Sequence, residues 1–187
     1  MPIDPRMRLM TPRLLLRATL PSDAARLADI QANWNVTRML RLAQWPVDRM
    51  AIAAWVAGHD AEWAAGTGYR FAIVLDGEVV GLCDLDSIKD TTGDLGYWID
   101  EAHWGKGLVS EAAAAVVDFG FDALGLTSIT SGHAIDNPGS GRVLLKLNFM
   151  PVQEVIKFNA PRGCDVLNRT YILKPPAWAA RAPALRR

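Results

Sequence analysis

The segment that most restricts how this 187-residue chain can fold is one continuous unit that starts at Asp94. DLGYWI (residues 94–99) is rich in aromatic and branched residues, the composition of a strand. HWGKGL then places Gly105 and Gly107 one residue apart, directly before an alanine-rich apolar run that ends near Leu124, with Gly125 as its C-cap. TSITSGHAI supplies a second strand. Strand, helix and strand at this spacing predict a right-handed parallel crossover. Glycine has the most backbone freedom to lose, so a pair at a helix entrance marks a tight turn or a close approach. Helix N-termini carry unpaired N–H groups and a positive dipole end, which suits a phosphate. A plain loop-to-helix turn would use the same residues.

The flanking segments decide what surrounds this unit. RLLLR (residues 13–17) reads as a strand bounded by Pro12 and by a turn at Pro21. Ser22 is a candidate N-cap for a helix in which Ala24, Leu27, Ala28 and Ile30 recur at helical spacing. A second helix over residues 48–65 puts Ile52, Trp55, Val56 and Trp63 near one face. Core packing accounts for those tryptophans, with a place for one of them in a cleft. YRFAIVL and EVVGLCDL form a hairpin through Asp76-Gly77. A short helix follows Asn137, Pro138 and Gly139, and VQEVIKF and DVLNRTYIL form a last hairpin through Pro161 and Gly163. Hairpins combined with one crossover predict a mixed α/β fold, its sheet mostly antiparallel, with helices on both faces. Residues 175–187 read as a surface or disordered tail.

Composition removes several classes of function. The length suits a single domain. Lysine plus arginine equal aspartate plus glutamate at 20 each, so bulk charge favours neither a nucleic acid nor an anionic membrane as partner. No run approaches the roughly 18 apolar residues of a membrane span. Prolines and arginines interrupt the first 17 residues where a signal peptide would be apolar, so the expected location is cytoplasmic. Cys83 and Cys164 stand far apart without ligand partners, so neither a metal nor a disulfide is expected. His59, His103 and His133 receive no catalytic role. A dinucleotide motif would need glycine at position 110, which is Ser110, and no P-loop is present.

TPRLLLR, DLGYWI, HWGKGLVSEA and NPGSGRVLLKLNF, in this order between about Thr11 and Leu173, resemble the GNAT superfamily of acetyl-CoA-dependent N-acyltransferases. Within it they are most similar to the RimJ/RimL-type protein N-acetyltransferases. Two departures are Ala102, where the loop often starts with Gln or Arg, and Asn148 in place of a glycine. Asn148 tolerates the left-handed conformation.

The resemblance implies one acetyltransferase domain over residues 1–187, with a core at about 11–174 and a sheet whose fourth and fifth strands splay apart. It implies that His103, Trp104, Gly105, Lys106, Gly107 and Leu108 wrap the pyrophosphate of acetyl-CoA, Lys106 being otherwise solvated surface. The main chain of Tyr97, Trp98 and Ile99 would pair with the pantetheine arm, and a strand N–H would polarise the thioester carbonyl. Asn137 would touch that arm or the adjoining loop, and Lys146 would lie near the adenosine phosphates. Asp94 would take the proton from the amine, with Asp84 and Asp86 as alternatives in the same cleft. Ser140 either protonates the leaving thiolate or caps its helix. That helix holds no tyrosine, which leaves water as the other proton donor. The implied reaction is direct attack of a primary amine in a ternary complex, the acceptor being a protein N-terminus. A small amine such as an antibiotic or polyamine, or a non-catalytic acyl-CoA-binding module, are the alternatives. The chain would act as a monomer or homodimer, without nucleic acid, membrane or metal.

Overall fold

The computed structural model describes residues 3–4 and 7–180. Eight strands form one sheet in the order β1-β2-β3-β4-β5-β6-β8-β7. They are β1 (Arg8–Met10), β2 (Leu15–Ala18), β3 (Tyr69–Leu75), β4 (Glu78–Lys89), β5 (Thr92–Ile99), β6 (Ser128–Ala134), β7 (Met150–Asn159) and β8 (Cys164–Leu173). Between them run α1 (Ala24–Gln31), α2 (Trp34–Thr37), α3 (Arg49–Ala65), α4 (Leu108–Asp118) and α5 (Pro138–Lys146), and α6 (Pro175–Ala179) follows β8. Every strand pair is antiparallel except β5 with β6, which α4 connects.

Alternation along the central strands sorts side chains to two faces. Phe71, Ile73, Cys83, Leu85, Leu95 and Ile99 pack on Ala112, Ala113 and Val116 of α4. Ala72, Val74 and Leu82 face the other way, onto Ala24 and Leu27 of α1 and Val56 of α3. Helices therefore cover both faces, as the pattern of elements requires. Gly120 lets the end of the α4 segment press on the sheet, because a Cβ there would lie 2.8 Å from Leu85 Cδ1 and 3.0 Å from Ile129 Cδ1. The segment does not stay α-helical to Leu124: it widens into a π-helical turn over Phe119–Ala123 before Gly125 (φ +66°) ends it.

Local chemistry explains the other boundaries. Asp48 caps α3 by accepting the Met50 and Ala51 N–H groups. Asp76 and Gly77 both take positive φ, the conformation of a tight hairpin turn. Trp63 is buried in an aromatic cluster with Tyr69, Phe71 and Phe119, whereas Trp55 reaches the cleft described below.

Several expectations are corrected. Ser22 does not cap α1: it lies inside a 3-10 turn, Pro21–Asp23. Asp23 is the residue that matters there, buried, paired to Arg17 (2.7 Å) and accepting the Leu20 N–H (2.8 Å). The sheet begins before residue 11, at β1, so the splayed fourth and fifth strands of the resemblance are β5 and β6. The chain beyond residue 174 is not all surface. Trp178 on α6 is buried against the α4 cluster, and its indole N–H donates to Asp118 Oδ1 (2.8 Å), which satisfies the ring's one polar atom. The rest of the expected tail, residues 181–187, lies outside the described residues.

Asn148 adopts φ +60° just past the end of α5 and donates to the Ala177 carbonyl (3.2 Å). A branched side chain cannot take that conformation without strain, so Asn148→Val should cost about 1–2 kcal/mol of stability by denaturant unfolding. Asn148→Gly, which keeps the conformation, should lose less.

Candidate active site

Strand β5 pairs with β6 over only three residues, Thr92 with Ser128, Gly93 with Ile129 and Asp94 with Thr130. Beyond that point the two strands part. The antiparallel ladder to β4 continues, with Asp84 opposite Gly96 and Leu82 opposite Trp98. Main-chain groups alternate in direction along such a ladder. Asp94, Gly96 and Trp98 therefore turn theirs to β4, while Leu95, Tyr97 and Ile99 turn theirs to the gap. Ser131 Oγ donates to the Leu95 carbonyl (2.8 Å) and the Trp104 indole N–H to the Ile99 carbonyl (2.9 Å). Tyr97 is left with its main-chain N–H and C=O bordering the gap. Trp98 departs from expectation: its main chain is committed to β4, and its side chain packs on the α1–α3 face.

The gap opens into a cleft of about 1240 Å³. At one end stands the glycine loop. Gly105 (φ +74°) and Gly107 (φ +76°) are both left-handed, and a Cβ on Gly105 would meet nothing within 4 Å. The N–H groups of residues 105–110 have no acceptor among the described residues, as the first turn of α4 dictates. His103 Nδ1 is also buried without a partner among the described residues. A clamp fixes the loop from behind. Glu111, in the first turn of α4, accepts from Thr11 Oγ1 (2.6 Å), Arg13 N (2.9 Å) and Arg13 Nε (2.7 Å), and Arg13 Nη1 donates to the Lys106 carbonyl (2.9 Å).

Across the gap, on the α4 side of the sheet, α5 brings its first turn to Tyr97. Asn137 caps the helix by accepting the Ser140 N–H (3.2 Å). Ser140 is therefore not the cap, and its hydroxyl lies 2.9 Å from Tyr97 Oη. Tyr97 Oη also donates to the Ser140 carbonyl (3.1 Å). Burial pushes the Tyr97 phenol well above its ordinary range, against the pull of Ser140, so it keeps its proton.

The opposite face of β5 carries the carboxylates. Register sets Asp94 beside Asp86, with Asp84 one pair further along. Gly96 makes room for Asp84, whose Oδ1 would lie 2.4 Å from a Cβ there. Arg70 on β3 pairs with Asp84 (2.7 Å), Asp86 (3.3 Å) and Glu62 of α3 (2.6 Å), and its guanidinium lies 5.5 Å from the Trp55 ring. Burial raises the Asp84 carboxyl to about 7, with Asp86 and Asp94 adding to the rise and Arg70 opposing it. Asp94 opens to the cleft and accepts from Thr130 Oγ1 (2.7 Å). The cleft walls thin the water around it and raise its carboxyl, as does Asp86, while the Thr130 bond, Lys157 and Arg41 pull it back.

Residues 13–150 match the family described as Acetyltransferase (GNAT) domain. The chain belongs to the GNAT acetyltransferases. It is similar to the uncharacterized N-acetyltransferase YoaA of Bacillus subtilis, 30% identical over 172 residues, 89% of this chain and 97% of that one. It also matches the ribosomal-protein-serine acetyltransferase of Escherichia coli, 30% identical over 87 residues, 46% and 49% of the two chains. The structure of Mycobacterium smegmatis RimJ in complex with CoA-disulfide superimposes with a TM-score of 0.81 at 22% identity, over 96% of this chain and 94% of that one. This GNAT chain is thus an N-acetyltransferase with the mixed sheet of that fold.

Its expected site residues fall into distinct places. Asp94, Tyr97, Trp98, Ile99, His103, Trp104, Gly105, Gly107, Leu108, Asn137, Ser140 and Lys146 all line the one cleft, as do Asp84 and Asp86. Lys106 is exposed and does not line it; its carbonyl instead anchors Arg13. Leu108 contributes mainly packing, being buried in the α4 core. Sequence reasoning missed the Thr11–Arg13–Glu111 clamp, whose signal is an acid in the first turn after Gly107. It missed the Tyr97 hydroxyl as well, because Tyr97 and Ser140 stand 43 positions apart on different elements.

The Asp84 carboxyl gives a stability test. Over the window from its ordinary 3.8 to about 7, folded Asp84 keeps a proton that the unfolded chain has released. The folded state then binds more protons, so stability falls as pH rises through that window. Asp84→Asn should flatten the fall in urea midpoints measured across it.

Proposed function

We propose that this GNAT enzyme transfers the acetyl group of acetyl-CoA to a protein N-terminus, a ribosomal protein being the favoured acceptor class. The observation that carries the proposal is the fork after Asp94 and Thr130. It sets an open strand edge, a loop of unpaired N–H groups, a carboxylate and a hydroxyl pair around one cleft. Acetyl-CoA, when bound, supplies the thioester. Its chemistry fits the residues present: the positive end of α4 and the unpaired N–H groups of residues 105–110 suit a pyrophosphate, and the buried His103 Nδ1 is a further unfilled polar atom. The Tyr97 main chain can pair with the amide-bearing arm, and Asn137 and Lys146, at the two ends of α5, line the same cleft.

Asp94 takes the proton of the incoming ammonium, directly or through water, and Thr130 holds its carboxylate in place. Ser140 and Tyr97 hold the proton for the departing thiolate. With Tyr97 donating to the Ser140 carbonyl, the Ser140 hydroxyl hydrogen is free to point to Tyr97 Oη or to the sulfur. A protein acceptor is favoured because the matched relatives include a ribosomal-protein-serine acetyltransferase, and RimJ shares the fold.

Gly107→Val sets a β-branched side chain at φ +76° and 3.7 Å from Arg13 Nη2, so it strains the turn that carries the loop N–H groups proposed for the pyrophosphate. It should weaken CoA binding ~10-fold or more by calorimetry, about 1.4 kcal/mol, while the protein stays folded. Unchanged affinity in a folded variant would remove the loop from the site. Ser140→Ala leaves the Asn137 cap in place, since that bond uses the Ser140 main chain. A general acid contributes ~10²–10⁴-fold, so kcat should fall at least ~10-fold with acetyl-CoA affinity nearly constant. Full turnover would instead assign the proton to Tyr97 or water, which Tyr97→Phe separates.

A further inference from the structure

One side of the cleft is closed by a strap that the proposed chemistry does not yet use. Arg162, in the turn between β7 and β8, is largely buried, its side chain 13% exposed. Its Nε donates to the Arg38 carbonyl (2.7 Å), and Nη1 and Nη2 form a two-pronged pair with Asp136 (2.8 and 3.1 Å). Beside it, the Ala160 N–H donates to the Arg41 carbonyl (2.9 Å), and Asn159 Nδ2 reaches the Arg38 carbonyl (3.3 Å). Apart from this strap, residues 39–44 make only short-range turn bonds among the described residues. Those same residues line the cleft, and so does Lys157 on β7. Asp136 is itself 46% exposed, so the ion pair alone holds little; the strap is set apart by a guanidinium that joins three segments through a main-chain carbonyl as well as a two-pronged carboxylate pair.

We propose that Arg162 is a positioning residue, which straps the segment after α2 to the β7–β8 turn and so holds Arg41 in the cleft wall opposite Asp94, beside Lys157, which the β7–β8 ladder places there. This rests on Asp94 being the base. The groups that face Asp94 are Asp86 and Asp84 on β4, Arg70 on β3 beyond them, Lys157 on β7 and Arg41 on the strapped segment; Thr130 on β6 is uncharged. Burial, the largest influence, and Asp86 favour the protonated acid, whereas the Thr130 bond, Lys157 and Arg41 favour the carboxylate that a base must be. Arg70 is already shared among three acids. Lys157 and Arg41 therefore offset part of the rise, and the strap decides where the Arg41 segment stands.

The test is the pH profile of kcat/KM with an N-terminal peptide as acceptor. Two rising breaks are expected, the lower from Asp94 and the upper from the acceptor's own ammonium group, which no enzyme variant should shift. Arg41→Gln keeps the carbonyl that Ala160 reaches and removes the charge; it should move the lower break to higher pH. Arg162→Ala should move it the same way, and the double variant no further than the larger single shift. Where Arg162→Ala fails to fold, Arg162→Lys loosens the strap instead, because one ammonium cannot keep both the Arg38 carbonyl bond and the two-pronged Asp136 pair. A lower break unmoved in Arg41→Gln, or moved there but not in a folded strap variant, overturns the proposal. Asp94→Asn should abolish the lower break. Its persistence there would refute Asp94 as the base, an outcome separate from failure of the strap.

Discussion

The parting of β5 and β6 after their third residue pair is the constraint on which the rest of the site depends. A parallel pair that continued would consume the Tyr97 main chain in a ladder and leave no entrance between the strands. Sheet edges ordinarily have to be covered or paired. Here an edge is opened inside the sheet, and its unpaired groups face a cleft rather than another strand. The side-chain bonds of Thr130 and Ser131 to β5 hold the fork at its base, so the opening begins at a fixed place.

The twofold period of a strand then divides the chemistry. Asp94 and Tyr97 are three residues apart on β5 and so emerge on opposite faces of the sheet. The carboxylate joins the Arg70, Asp84 and Asp86 cluster on the side of α1 to α3. The phenol joins Ser140 on the side of α4 and α5. The strand edge lies between them, so the carboxylate and the hydroxyl pair stand on opposite sides of the sheet. The α4 end of the cleft has its own anchor, because Glu111 ties the start of the chain to the glycine loop through Thr11 and Arg13. An exposed loop carrying two left-handed glycines is thereby kept in one conformation.

Much of this was legible beforehand because it is written in short-range rules. Apolar, branched and aromatic runs bounded by turn residues located seven of the eight strands, Asp76-Gly77 located a hairpin turn, and the glycine pair located the start of α4. The tolerance of asparagine for positive φ anticipated Asn148. The ordered motifs also pointed to the GNAT fold, since their joint spacing constrains far more than any one of them.

What the sequence determined by itself was which segments form strands and helices, and which residue types stand near the fork, because both follow from periodicity and from neighbours in the chain. Which partners those residues meet was decided only by the tertiary structure. Ser140 reads equally as cap or proton donor until Asn137 is seen to take the cap and Tyr97, 43 positions earlier, is seen beside its hydroxyl. Trp98 reads as part of a free edge until the β4 register claims its main chain. Thr11 and Glu111 stand 100 positions apart. Contacts of that range carry no local signature, since they arise from how two faces of one sheet are packed, not from the propensity of any segment.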